Sequence, residues 1–184
     1  MSAFTPTYSA SCRWRRRHIY PTINAQQQAW LLDTGSLTQK LVKKSVGTFN
    51  VAVLSQSITS ASFSENRTLG IAPRRWALVR EVVLNGNQKP WVYARTVIPL
   101  KTLKGRLRRL HFLGNQSLGE ALFNDATMQR EDIFITRLHR ASIPMTGLYP
   151  EKIWGRHSVF RLSNKPLLVS EFFLPAIFTP HNTH

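Results

Sequence analysis

Residues 167–175 read LLVSEFFLP. Leu167, Val169, Phe173 and Pro175 share the parity of Glu171, and the alternate set is Leu168, Ser170, Phe172 and Leu174. Successive side chains of an extended chain point to opposite faces. Both faces of this segment are therefore apolar, and such a strand belongs in a sheet covered on both sides. Glu171 is then an anomaly, because a carboxylate in apolar surroundings is costly unless something compensates it. Two readings stand side by side. The commoner is a structural ion pair with a buried arginine; the sharper is a carboxylate facing a closed pocket.

The second constraint is a hairpin over 76–99. The β-rich segments 76–84 and 91–99 flank Asn85-Gly86, a pair that tolerates the positive φ angles of a tight turn. Trp76, Leu78, Arg80, Val82 and Leu84 share one face, with Arg80 its lone charge; on the returning strand Trp91, Tyr93, Arg95 and Val97 share a face with Arg95 as its lone charge. An even number of loop residues puts Arg80 and Arg95 on the same side of the sheet, and an odd loop without a bulge does not.

The remaining segments fill in around this pair. Asn24 caps a helix over 25–33; Ser36 and Gln39 form a capping box that opens a second helix over 37–44, with Lys43 and Lys44 at its end; and Ser117 with Glu120 opens another through Phe123. Strands are expected over 46–54, around 58–63 and over 131–138. A last hairpin joins 156–163 to 167–174 through Asn164-Lys165-Pro166, and 139–153 reads as a long loop. Leu103, Leu107, Leu110 and Leu113 recur at helical spacing in a basic segment. The sum is an α+β fold: a single domain with an antiparallel sheet of about six strands, short flanking helices and a buried ligand pocket. The expected division is a basic lead-in over 1–20, in which Trp14 and Tyr20 look like core anchors, a domain over 21–176 and a tail over 177–184. The glycine motifs of nucleotide-binding α/β folds are missing.

Composition narrows the function classes. Hydrophobic residues make up 42% of the 184, so the chain is globular. It holds no apolar run of 18 residues, so no membrane-spanning helix is expected. The run Arg13 to Arg17 lacks the apolar stretch of a secretory signal, and the single cysteine, Cys12, permits no internal disulfide. A cytoplasmic protein is expected. The formal charge of +16 suits nucleic acid, an anionic surface or a small polyanionic substrate. The basic residues are spread along the chain and form no nucleic-acid motif, so no nucleic-acid partner is expected. The six histidines have no metal-ligand spacing, so no metal is expected either.

Arg80, Arg95 and Glu171 are three charges on apolar strand faces. One glutamate cannot answer two arginines, whereas a ligand with two carboxylates can, and the planar guanidinium fork binds carboxylate at two points. Leu37 and Leu118 occupy the first positions of the two helices opened by Ser36 and Ser117. Backbone amides there lack intrahelical acceptors, and the helix dipole favours an anion beside them. Ordinary capping is the commoner use of any one helix start.

The segments WALVREVVL with PWVYARTVIPLKTL, LGNQSLGEALF and IWGRHSVFRLSNKPLLVSEFFLP, and more loosely WLLDTGSLTQKL, resemble the chorismate pyruvate-lyase family. The resemblance implies one six-stranded antiparallel sheet with flanking helices. It implies ligand contacts from Arg80, Glu171 and the backbone at Leu37 and Leu118, with Arg95 as a further arginine near the site and Glu171 and Arg95 in catalytic roles. It implies a monomeric enzyme without cofactor that takes chorismate to 4-hydroxybenzoate and pyruvate at the start of bacterial ubiquinone synthesis. A non-catalytic module of the same fold that binds small aromatic acids is the competing expectation.

Overall fold

The computed structural model describes residues 12–16, 23–139, 143–144 and 152–179. Tyr20 and most of the loop placed at 139–153 lie outside the described residues. One antiparallel sheet organises the rest. Its strands are β1 (Asn50–Ser60), β2 (Trp76–Gly86), β3 (Lys89–Pro99), β4 (Gln129–Arg130), β5 (Phe134–His139), β6 (Lys152–Leu162) and β7 (Lys165–Phe173). The order across the sheet is β1-β2-β3-β7-β6-β4, and β5 also pairs with β6. Because β7 occupies one edge of β6, β4 and β5 lie end to end along the other. The sheet therefore has seven strands and is six strands wide.

Among the described residues four helices join it: α1 (Ala25–Leu31), α2 (Leu37–Ser45), α3 (Phe63–Thr68) and α4 (Leu118–Phe123), with 3-10 turns at Gly105–Phe112 and Pro175–Ile177. Asn24 and Gln27 close the full reciprocal cap of α1. At α2 and α4 the serine half alone forms, Ser36 Oγ accepting from the Gln39 amide and Ser117 Oγ from the Glu120 amide. The two strands expected between 46 and 63 are one continuous β1, bent by a register shift between Val53 and Ser55. The chain then turns into α3, whose start is a capping box between Ser62 and Glu65. Ile177, placed in the tail by the sequence reading, is fully buried.

The β2–β3 hairpin turns two residues later than expected. Asn87 and Gln88 take the positive φ angles, 51° and 59°, of a two-residue turn. Gly86 lies in the strand, where a β-carbon would sit 2.2 Å from the Trp91 ring, so only glycine fits there. Trp91 is an extra residue: Asn85 faces Pro90, but Leu84 already faces Val92. This bulge shifts the register by one, and every side chain of β3 beyond it changes face relative to a bulge-free hairpin. Arg80 consequently faces Thr96, and Arg95 faces Glu81.

Both faces of the sheet are covered, as the pattern of 167–175 requires. On one face α1, α2, the 105–112 turn and α4 pack Trp30, Leu31, Leu41, Leu107, Leu110 and Leu122 over Val82, Val92, Phe160, Val169 and Phe173. On the other, α3 and residues 12–16 cover Val79, Tyr93, Val97, Leu168 and Phe172. Arg15 extends this cover by pairing its backbone with Ile135.

Candidate functional site

The first of these faces holds a cavity of about 50 Å³ between the strands and the helices. Its floor comes from alternate residues of four strands: Arg80, Val82 and Leu84 of β2, Ala94 and Thr96 of β3, Val169 and Glu171 of β7, and Arg156 and Phe160 of β6. Its roof comes from the starts of α2 and α4, through Leu37, Thr38, Leu118 and Gly119. The two helix starts meet there. Thr38 Oγ1 and Ser117 Oγ are 2.5 Å apart, and a β-carbon on Gly119 would lie 2.5 Å from Thr38 Oγ1. Residues in the first turn of a helix have amides without intrahelical acceptors, so two such turns set an electropositive ceiling over the space.

Glu171 accepts from Arg156 Nε at 2.5 Å through Oε2. Arg156 is 1% exposed and also donates through Nη1 to the carbonyls of Trp30, at 2.8 Å, and Asp33, at 2.7 Å. The common expectation for Glu171, an ion pair with a buried arginine, and the sharper one, a place in a pocket wall, are therefore both realised. Oε1 has no partner among the described residues. Arg80 donates to Gln56 Oε1 at 3.0 Å and to the carbonyls of Gly114, at 2.7 Å, and Gln116, at 3.3 Å. Among the described residues no carboxylate pairs with it, and burial lowers its pKa. A third arginine, Arg130, reaches in from β4. Its Nε donates to Ser158 Oγ at 3.1 Å, its Nη1 to the Asp33 carbonyl at 3.2 Å, and its guanidinium lies 5.1 Å from the Phe160 ring centre. Burial, with Arg156 nearby, brings its pKa down to about 10.

Arg95 is not in this wall. The bulge at Trp91 turns it to the opposite face, which corrects the expectation that it accompanies Arg80. There it donates to Glu65 through Nε at 2.8 Å and to Glu81 through Nη1 at 3.1 Å. Tyr93 Oη donates to Glu81 Oε1 at 2.6 Å, and Ser55 Oγ to Oε2 at 2.7 Å. Burial raises the pKa of Glu65, but the hydrogen bonds and charge of Arg95 outweigh it and hold the carboxyl below its ordinary value. The cluster knits β1, β2, β3 and α3 together behind the cavity floor.

Of the residues picked from the sequence, Arg80, Glu171, Leu37 and Leu118 come together around one cavity, and Arg95 stands apart. Sequence reasoning missed Arg156 and Arg130. A turn at 164–166 would set Val159 against Glu171; the turn in fact uses Ser163 and Asn164, both at positive φ, which sets Arg156 there. A two-residue strand such as β4 carries no pattern from which Arg130 could be found. Among the described residues, no three His, Cys, Asp or Glu side chains gather as metal ligands would.

An antiparallel sheet with a cation-rich cavity against one covered face defines a domain suited to holding a small carboxylic acid. The sequence model of the chorismate lyase family matches residues 10–183, and the chain belongs to that family. A probable chorismate pyruvate-lyase of Pseudomonas aeruginosa (strain UCBPP-PA14) is 35% identical over 165 residues, covering 90% of this chain and 92% of that protein. One from Psychromonas ingrahamii is 39% identical over 174 residues, covering 91% and 92%. Among solved structures, the effector domain of PhnF from Mycobacterium smegmatis superposes with a TM-score of 0.54 at 16% identity, covering 78% of this chain and 91% of that one. That likeness is one of fold alone.

Proposed function

We propose that the protein is a chorismate pyruvate-lyase that releases pyruvate from chorismate to leave 4-hydroxybenzoate, the opening step of bacterial ubiquinone synthesis. It acts in the cytoplasm, as a monomer and without a cofactor. The observation that carries this reading is the charge of the cavity wall. Three guanidiniums (Arg80, Arg130, Arg156) stand against one carboxylate (Glu171), an excess of three minus one, or two. Chorismate is a dianion, with one carboxylate on the ring and one on the enolpyruvyl ether, and it would cancel that excess.

The chemistry needs little from the protein beyond placement. The C3–O bond breaks, the C4 proton leaves, and the ring becomes aromatic; the proton ends on the methylene of the departing enolpyruvate, which becomes pyruvate. Aromatisation supplies the driving force, so the protein contributes orientation, exclusion of water and stabilisation of the charge that gathers on the leaving enolate. Arg80 and the first-turn amides at Leu37 and Leu118 hold the ring carboxylate. Glu171 meets the C4 carbon and its hydroxyl through Oε1, while Arg156 fixes Oε2. The cavity has room for only a few waters, on the order of 10–15 Å³ each, so the roof formed by α2 and α4 must shift to admit the substrate. The product keeps the carboxylate and hydroxyl by which the ring is held, so tight retention of 4-hydroxybenzoate follows.

The deciding experiment mixes purified protein with chorismate and follows pyruvate and 4-hydroxybenzoate together. Equal amounts of both are expected. A protein that binds 4-hydroxybenzoate but leaves chorismate intact is the non-catalytic module instead, and one that binds neither defeats both readings.

A further inference from the structure

We infer that Arg130 receives the enolpyruvyl carboxylate of chorismate, across the cavity from Arg80, so that each carboxylate of the substrate has its own arginine. This rests on the chorismate reading above and adds the half of the substrate that Arg95 is in no position to hold.

The sheet register sets the geometry. Arg80 faces Thr96, Thr96 faces Val169, and Val169 faces Ser158, which makes one straight row across β2, β3, β7 and β6 on the cavity face. Arg130 starts one strand further out, opposite Phe160, and leans onto that row by donating Nε to Ser158 Oγ. Two arginines therefore approach the same row from opposite sides of the cavity. Between them, two residues along on the same face, lie Ala94 and Glu171, which face each other on β3 and β7. The ring of a bound chorismate would rest over Ala94 and Glu171, with its ring carboxylate toward Arg80 and its ether side chain toward Arg130.

The choice of Arg130 over Arg156 follows from what each already holds. Arg156 has Glu171 and two carbonyls. Arg130 has one hydroxyl and one carbonyl, and among the described residues no carboxylate pairs with it and its Nη2 has no acceptor. A charged guanidinium that is largely desolvated and without a counter-ion is stabilised by an anionic ligand more than one already matched. After C–O cleavage, the two monocarboxylates would part along the same axis, 4-hydroxybenzoate staying with Arg80 and pyruvate with Arg130.

The test compares wild type with Arg130→Met, which removes the charge and keeps the bulk. Turnover of chorismate and calorimetric affinity for 4-hydroxybenzoate are measured on both. The expected result is a KM for chorismate raised about 10- to 100-fold, as for loss of a hydrogen bond to a charged group, with 4-hydroxybenzoate affinity within about twofold of wild type. Unchanged KM and kcat overturn the inference. Chorismate and 4-hydroxybenzoate binding falling together also overturn it, because Arg130 would then support the cavity as a whole. A wild-type protein that does not turn over chorismate defeats the lyase reading itself, which the unmutated control reveals. Should Arg130→Met fail to fold, Ser158→Ala takes its place. It frees Nε from its anchor and should raise KM several-fold with 4-hydroxybenzoate affinity unchanged; an unaltered KM there overturns the inference equally.

Discussion

Replacing Arg156 by methionine separates what the Glu171 pair does for stability from what it does for chemistry. Arg156 is 1% exposed and makes three hydrogen bonds, to Glu171 and to the carbonyls of Trp30 and Asp33. Without it, the Glu171 carboxylate, only 14% exposed, loses its cation, and two carbonyls lose a donor. Breaking one side of such a buried pair costs about 3–5 kcal/mol. At roughly 2–4 °C per kcal/mol for a chain of this size, the melting midpoint should fall by about 6–20 °C. Adding Glu171→Leu removes the stranded charge. Apolar replacement of a whole buried pair is often neutral, so the double variant should recover to within about 1–2 kcal/mol of wild type. Urea unfolding followed by tryptophan fluorescence measures all four proteins at a common m value. If the double variant loses the sum of the two single losses, the groups are not coupled and the reasoning fails. The recovered double variant should be folded yet inactive toward chorismate; wild-type kcat in it would remove Glu171 from the chemistry.

Three further outcomes follow from the geometry. Arg80→Met should weaken 4-hydroxybenzoate about 10- to 100-fold by calorimetry, the loss expected for a hydrogen bond to a charged group; unchanged affinity would place the ring carboxylate elsewhere. Arg95→Met leaves Glu65 and Glu81 buried without their cation and should cost about 3–5 kcal/mol of stability, while the KM of the folded enzyme stays within about twofold; a large KM increase at intact stability would return Arg95 to the site. His157 is stacked on Trp14, and burial lowers its pKa to about 4, against about 6.5 in the unfolded chain. Between those values the unfolded chain binds more protons, so this contribution is complete above pH 6.5 and is lost as the pH falls toward 4. The loss is on the order of 3 kcal/mol, and His157→Phe should flatten that part of the stability profile; an identical slope in the variant would show that other groups set it.

How much of this was legible in the sequence varied with the kind of signal. The two-sided apolar character of 167–175 foretold the sandwiched sheet, because alternation is a local property that folding does not alter. The helix starts at Ser36 and Ser117 were legible for the same reason, and they brought Leu37 and Leu118 to the cavity. Register was not legible. Asn85-Gly86 has the composition of a turn, but Gly86 is used for the close approach of Trp91, and the turn falls on Asn87-Gln88 instead. The displaced turn alone would have left Arg95 on the face of Arg80; the extra residue at Trp91 moved it to the other. Glu65 could have been found from the capping box it forms with Ser62, a signal present but overlooked in a stretch rich in serine and threonine. Arg156 needed the correct final turn, and Arg130 needed the third dimension, since no local pattern surrounds a two-residue strand.

The bulge at Trp91 also bears on how this protein can be altered. Point changes along β3 exchange one side chain for another and leave the frame alone. Deleting a single residue between Lys89 and Ala94 would instead transpose the strand beyond it, sending Arg95 into the ligand space and Thr96 in among Glu65 and Glu81. Any graft of this hairpin into another scaffold, or any redesign that tidies it into a regular ladder, would have to carry the irregularity along or forfeit the binding site.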